Sequence, residues 1–228
     1  MTKNARISLI IIAVVVVVLG GFILISKLTG PSAPQQTGSA NVAGPTPAAP
    51  TDVLVRPDSH KLSNAPSAKV TVVEFLDLEC EACRAAYPGV EKLRDEYGDR
   101  VTFVMRYFPV PAHRNAELAA TVVEAAGKQG KLEAMYQRMY ETQANWGDQQ
   151  VSHRETFFGF ARDLGLDMAK FEADVNDPAT LERVLKDRKD GVTVGVQGTP
   201  TFFINATKLQ GPPSYSALKA AVDRELAK

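Results

Sequence analysis

Sulfur is scarce in this chain: 228 residues hold two cysteines, beside three histidines and one tryptophan. Two cysteines cannot build a disulfide-rich scaffold. Nor can they fill a tetrahedral zinc site without two further ligands at suitable spacing, and His60, His113 and His153 are scattered. Net charge is absent as well, with 26 basic and 26 acidic residues. That balance hides an asymmetry. No acid precedes Asp52, whereas Lys3, Arg6 and Lys27 do, so the part from Asp52 onward has 23 basic against 26 acidic residues, a net of −3. A mildly acidic body lacks the basic face that phosphate binding needs, which argues against nucleic acid as a partner. A composition of 45% hydrophobic and 23% charged residues is ordinary for a globular protein and sets aside wholesale disorder or a fibrous repeat.

Charge is also missing from Ile7 to Ser26 (ISLIIIAVVVVVLGGFILIS). A helix of that length spans roughly 30 Å, the thickness of a bilayer's hydrocarbon core. The run exceeds the apolar region of a typical signal peptide, and no convincing cleavage site follows closely, so it reads as an uncleaved signal anchor. A cleaved signal peptide is the alternative. Lys3, Arg6 and the terminal amine precede the run while Lys27 alone follows, which predicts a cytoplasmic N-terminus and an extracytoplasmic bulk. Leu28 to Asp52 holds five Pro, three Gly, five Ala and four Thr, with Asp52 its only charge. Such a stretch buries too little apolar surface to fold and reads as a flexible tether. The expected plan is a tip and anchor over 1–27, a tether over 28–52, and a folded domain over 53–228.

In the folded part, Val53-Leu54-Val55 predicts a short edge strand. Lys69 to Leu78 (KVTVVEFLDL) and Val101 to Phe108 (VTFVMRYF) predict buried strands. Between them, Cys80 to Tyr97 predicts a helix, with Pro88 inside it and Gly98 at its stop. A β-α-β unit of this kind makes its two strands parallel. Helical periodicity then runs through Asn115–Gln129, Lys131–Thr142, Arg154–Leu164, Met168–Val175 and a segment opened by Asp177-Pro178. Strand chemistry returns at Thr201 to Asn205 and turns back into Lys208-Leu209-Gln210. Ser214 caps a last helix. The class is α/β: a mixed sheet with helices on both faces and a helical insertion at about 113–190.

Cys80-Glu81-Ala82-Cys83 falls where a strand ends and a helix starts. On a first helical turn, two intervening residues let the sulfurs meet at bonding distance. The first sulfur lies near unpaired N–H groups and the positive end of the helix dipole, which favour a thiolate, the nucleophile of disulfide exchange. A structural disulfide, half a zinc site and two inert buried thiols are the bland alternatives. Gly198-Thr199-Pro200-Thr201 is the second element; Pro200 opens a strand and its peptide bond is either cis or trans. Trp146 reads as packing within the insertion; His113, which follows the second strand, reads as an ordinary loop residue, with approach to the site as the alternative. Asn205-Ala206-Thr207 is a glycosylation sequon that reads as a chance occurrence.

VVEFLDLECEAC, the helical block and GTPTFFIN together resemble the DsbA family of thioredoxin-fold oxidoreductases, over roughly Lys69 to Lys228. The whole layout resembles its membrane-anchored, BdbD-like members. The resemblance implies a thioredoxin fold and an exported enzyme that introduces or exchanges disulfides in exported proteins with free thiols. It maps the exposed cysteine to Cys80, the buried one to Cys83, and a substrate-binding cis-proline loop to Thr199 and Pro200. Glu74, six residues before Cys80, matches a buried acid found in many members, which implies help in proton transfer from Cys83; a structural ion pair is the alternative. It implies no cofactor beyond the protein's own disulfide, and a membrane reoxidase linked to a quinone. A reductant or isomerase of the same fold, or a binding module without catalysis, are the competing readings. Glu81 and Ala82 depart from the family's usual dipeptide. Glu74, Asp77, Glu79 and Glu81 crowd the pair with acids, and like charges raise a thiol's pKa. The expectation is a Cys80 less acidic than in the most oxidising members.

Overall fold

The computed structural model describes residues 48–63 and 65–228. The Ile7–Ser26 run and the tether up to residue 47 lie outside the described residues. Among the described residues, no helix is long and apolar enough to cross a membrane.

Two buried strands form the centre, β2 (Val70–Leu76) and β3 (Val101–Tyr107), joined by α2 (Glu81–Tyr97). They are parallel and in continuous register from Val70↔Val101 to Leu76↔Tyr107, as a β-α-β crossover requires. Beyond β3 lies β1 (His60–Ser63), and beyond β2 lie β4 (Thr201–Ile204) and β5 (Thr207–Lys208), all antiparallel to their neighbours. The sheet order is β1-β3-β2-β4-β5. Five helices separate β3 from β4: α3 (Ala116–Gly127), α4 (Leu132–Thr142), α5 (Arg154–Asp163), α6 (Met168–Asn176) and α7 (Pro178–Thr193). The last helix, α8 (Tyr215–Leu226), starts at Ser214, whose hydroxyl accepts the Ala217 N–H. Asp167 and Asp177 cap α6 and α7 with their carboxylates.

The pleat of β2 sorts its side chains. Val70 and Val72 face α2 and α8, where they meet Val90, Leu93, Leu218 and Val222. Val73 and Phe75 face the other way, toward Leu54, Phe108, Val196 and Phe203. A third cluster fills the helical insertion around Trp146, which is fully buried and packs edge-on against Phe157 at 4.8 Å.

The N-terminal border differs from expectation. Thr51–Leu54 is a helical turn, α1, rather than tether followed by an edge strand. Leu54 is buried against Phe75 and Phe203, and the carbonyls of Val53 and Leu54 accept Arg106 Nη1 at 2.8 and 2.6 Å. A guanidinium thus satisfies backbone groups that a sheet partner would have taken. The edge belongs instead to β1, whose sequence His-Lys-Leu-Ser carries no apolar alternation to announce it.

Candidate active site

Cys80 stands at the N-cap of α2 in an extended conformation (φ −69°, ψ 121°), and Cys83 sits one turn inside the helix. Both are free thiols. Cys80 is 8% exposed and Cys83 fully buried. The Cys80 N–H donates to the Asp77 carbonyl at 3.1 Å, closing the turn that delivers the sulfur to the helix tip.

The insertion holds this turn from above. Buried Gln143 donates through Nε2 to the carbonyls of Leu78 (2.7 Å) and Cys80 (3.0 Å). Tyr140 adds its hydroxyl to the Asp77 carbonyl at 3.4 Å. The Glu79 carboxylate accepts the N–H of Asn115, the N-cap of α3, at 2.6 Å. From the other side comes the loop before β4. Its Thr199–Pro200 bond is cis, and the Cys80 thiol donates to the Thr199 carbonyl at 3.3 Å. Among the described residues, the buried Thr199 hydroxyl has no hydrogen-bond partner.

The two sulfurs are driven apart in acidity. Cys80 is lowered to about 6, first by the thiol of Cys83 donating to it, then by Thr199 and the N–H groups of Cys83 and Ala82, against the opposing cost of burial. Burial pushes Cys83 well up, and the Cys80 hydrogen bond and the Glu74 charge add to it. Glu74 lies on the α2 face of β2, in step with Val70 and Val72, and burial raises it to about 8 with help from Glu91 and Cys80. It is therefore protonated at neutral pH.

The crowd of acids does not keep Cys80 from being acidified. Glu74 is neutral, Asp77 and Glu79 are spent on hydrogen bonds, and Glu81, like Ala82, points into solvent. Cys80 at about 6 still lies in the upper part of the range of roughly 3.5–7.5 that activated thiols occupy. The structure brings Glu74, Cys80, Cys83 and Thr199 together. It adds Gln143 and Asn115, and it pairs Asp77 with His113 at 2.7 Å. No local signal marks the first two; their contacts cross more than 30 residues.

The thioredoxin family profile matches residues 64–224, more than two thirds of the chain. The chain belongs to the thioredoxin family. A Na(+)/H(+) antiporter NhaA from Herminiimonas arsenicoxydans is 34% identical over 163 residues, which is 72% of this chain but 25% of that protein. The chain spans about a quarter of the length of the curated relatives it matches. A solved thioredoxin-like oxidoreductase from Silicibacter pomeroyi DSS-3 is 30% identical, with a TM-score of 0.66, covering 79% of this chain and 99% of that one. The fold is also that of Wolbachia pipientis alpha-DsbA1, with a TM-score of 0.68 at 20% identity over 76% of this chain and 94% of that one. The expected thioredoxin fold, a mixed sheet flanked by helices, is thus present.

Proposed function

We propose that this thioredoxin domain is a thiol–disulfide oxidoreductase that forms disulfides in exported proteins, with Cys80 and Cys83 as its redox pair. The observation that carries the reading is the split between the sulfurs: one at a helix tip with its pKa lowered to about 6, its neighbour buried and held as a thiol. A client thiolate attacks Cys80 Sγ; the Cys80–Cys83 bond breaks and a client–Cys80 disulfide forms. Cys83 leaves as a thiolate and takes a proton from Glu74, which is protonated at neutral pH. A second client thiolate then attacks the client sulfur of the mixed disulfide. The client disulfide closes, and Cys80 leaves as the thiolate that Cys83, Ala82 and Thr199 stabilise. Two electrons pass to the protein, and two thiols of the client are oxidised. Thr199 and Pro200 border the sulfur where a client backbone must pass. No cofactor enters, because sulfur carries the electrons.

The same proposal places the domain outside the cytoplasmic membrane, on a tether behind the Ile7–Ser26 anchor, as in BdbD-like proteins, with a quinone-linked membrane reoxidase restoring the disulfide. The antiport of the NhaA relatives belongs to much longer proteins and is not carried over. Oxidation of a reduced, unfolded client with several cysteines tests the reading. The oxidised protein should restore client activity stoichiometrically and Cys80→Ser should not. Equal rates for the two would refute it. Equilibration with glutathione separates an oxidant from a reductant, since a potential near −270 mV or so would mark the latter.

A further inference from the structure

Asp77 and His113 take no part in these exchange steps, yet they join the Cys80 turn to the loop after β3. The buried Asp77 carboxylate divides its acceptors. Oδ1 takes the Glu79 N–H at 2.8 Å, while Oδ2 takes the Val110 N–H at 2.8 Å and His113 Nδ1 at 2.7 Å. Its carbonyl accepts the Cys80 N–H. One residue therefore shapes the turn that ends in Cys80 and also fixes an imidazole against that turn. The ring is 30% exposed, so it exchanges protons with solvent while one nitrogen stays bound.

The charged groups around the ring come from three elements. The β2–α2 turn supplies Asp77 and Glu79, and the head of α2 supplies Cys80. Arg114 and Glu117, of opposite sign and both exposed, line the same hollow of about 330 Å³ at the start of α3. Glu79 is already engaged by Asn115. Partial burial lowers the His113 pKa, but the Asp77 hydrogen bond and charge, then Cys80 and Glu79, outweigh it and the net shift is upward. Coupling of this kind is reciprocal: what the sulfur's charge does for the imidazolium, the imidazolium does for the sulfur.

We propose that His113, held by Asp77, is the cation that favours the Cys80 thiolate, a service the dipeptide Glu81-Ala82 cannot perform. His113 is then a positioning residue for charge rather than a catalytic one. The proposal rests on the exchange function above, where the thiolate is the leaving group. The ion pair exists in a window. Below about pH 6 the sulfur takes its proton, and above the raised pKa of His113 the ring is neutral. Within the window the dithiol form is stabilised, which makes the disulfide the stronger oxidant.

NMR titration of the ring signals tests this directly on the full chain in detergent, since only three histidines need assigning. His113 should titrate roughly half a unit or more higher in the dithiol form than in the disulfide form, where the sulfur carries no charge. In His113→Gln, thiolate absorbance near 240 nm should move to higher pH by a similar step, and alkylation by iodoacetamide at about pH 6 should slow roughly twofold. Identical His113 titrations in the two redox forms overturn the proposal, and so does an unmoved Cys80 titration in a folded His113→Gln. Neither readout needs a client. A protein with coupled titrations that oxidises no client loses the function and keeps the ion pair; one with the opposite result loses only the pair.

Discussion

At Glu74 a carboxyl occupies a position in β2 that the pleat gives to apolar side chains, with Val72 before it on the same face and Leu76 after it. Burial raises its pKa from 4.5 to about 8. The sign of the consequence follows. The folded state holds this proton more tightly than the unfolded state, so stability is full below about 4.5 and declines as pH rises toward 8. At pH 7 the loss amounts to about 3 kcal/mol. Glu74→Gln keeps the shape without the ionisation. It should unfold at higher urea than wild type at pH 7, and the difference should vanish near pH 4. It should also slow the breaking of the Cys80–Cys83 bond, because Cys83 would lose its proton source; stopped-flow reduction checks this. A variant no more stable than wild type at pH 7 would mean that the carboxyl is relieved of its desolvation cost. Glu74 was legible through its place six residues before Cys80 in a stretch that resembles the DsbA family. The bond between His113 and Asp77 was not, because the two lie 36 residues apart.

Elements with strong internal pattern were read correctly: β2 and β3 from their β-branched runs, α6 and α7 from their Asp caps, and α8 from Ser214. The failures were α1 and β1, four residues each, where tertiary contacts decide the conformation. Arg106 accounts for α1. Its fully buried guanidinium meets Asp187 at 2.8 Å and Asp190 at 2.6 Å, and Asp190 also holds Arg56 at 2.5 Å. The network ties α1, β3 and α7 into one block, and a single arginine in a strand does not reveal that. Arg106→Met leaves two carboxylates buried beside an apolar side chain and frees the α1 carbonyls. It should cost about 3–5 kcal/mol of stability in urea denaturation. A cost below about 1 kcal/mol would show that water or Arg183 replaces the guanidinium.

Across the whole molecule, the helical insertion is more than a cover for the sheet. Its Gln143 clamps the two carbonyls that frame the Cys80 turn, so the insertion and that turn share one set of buried hydrogen bonds. Gln143→Ala should cost about 1–3 kcal/mol by leaving the Leu78 carbonyl without a donor. It should also speed alkylation of Cys83, read by mass spectrometry, as the turn opens. Unchanged protection of Cys83 would place the rigidity of the turn in Asp77 alone. The two cysteines and the Thr199-Pro200 loop were legible as motifs, 119 residues apart between Cys80 and Thr199. A cis bond before Pro200 was one of two readings of the sequence, and with it present the Thr199 carbonyl meets the Cys80 sulfur at 3.3 Å.

The N-terminal segment fastens to the fold through the Ala49 N–H and the Ala206 carbonyl, 2.8 Å apart, beside the turn where β4 ends and β2 begins. Cys80 follows the other end of β2, seven residues along. At about 3.3 Å per residue, the point of attachment and the sulfur are separated by roughly 20 Å of sheet. A label placed at Ala206 therefore stands at the opposite end of the sheet from the sulfur and leaves the Cys80 turn undisturbed.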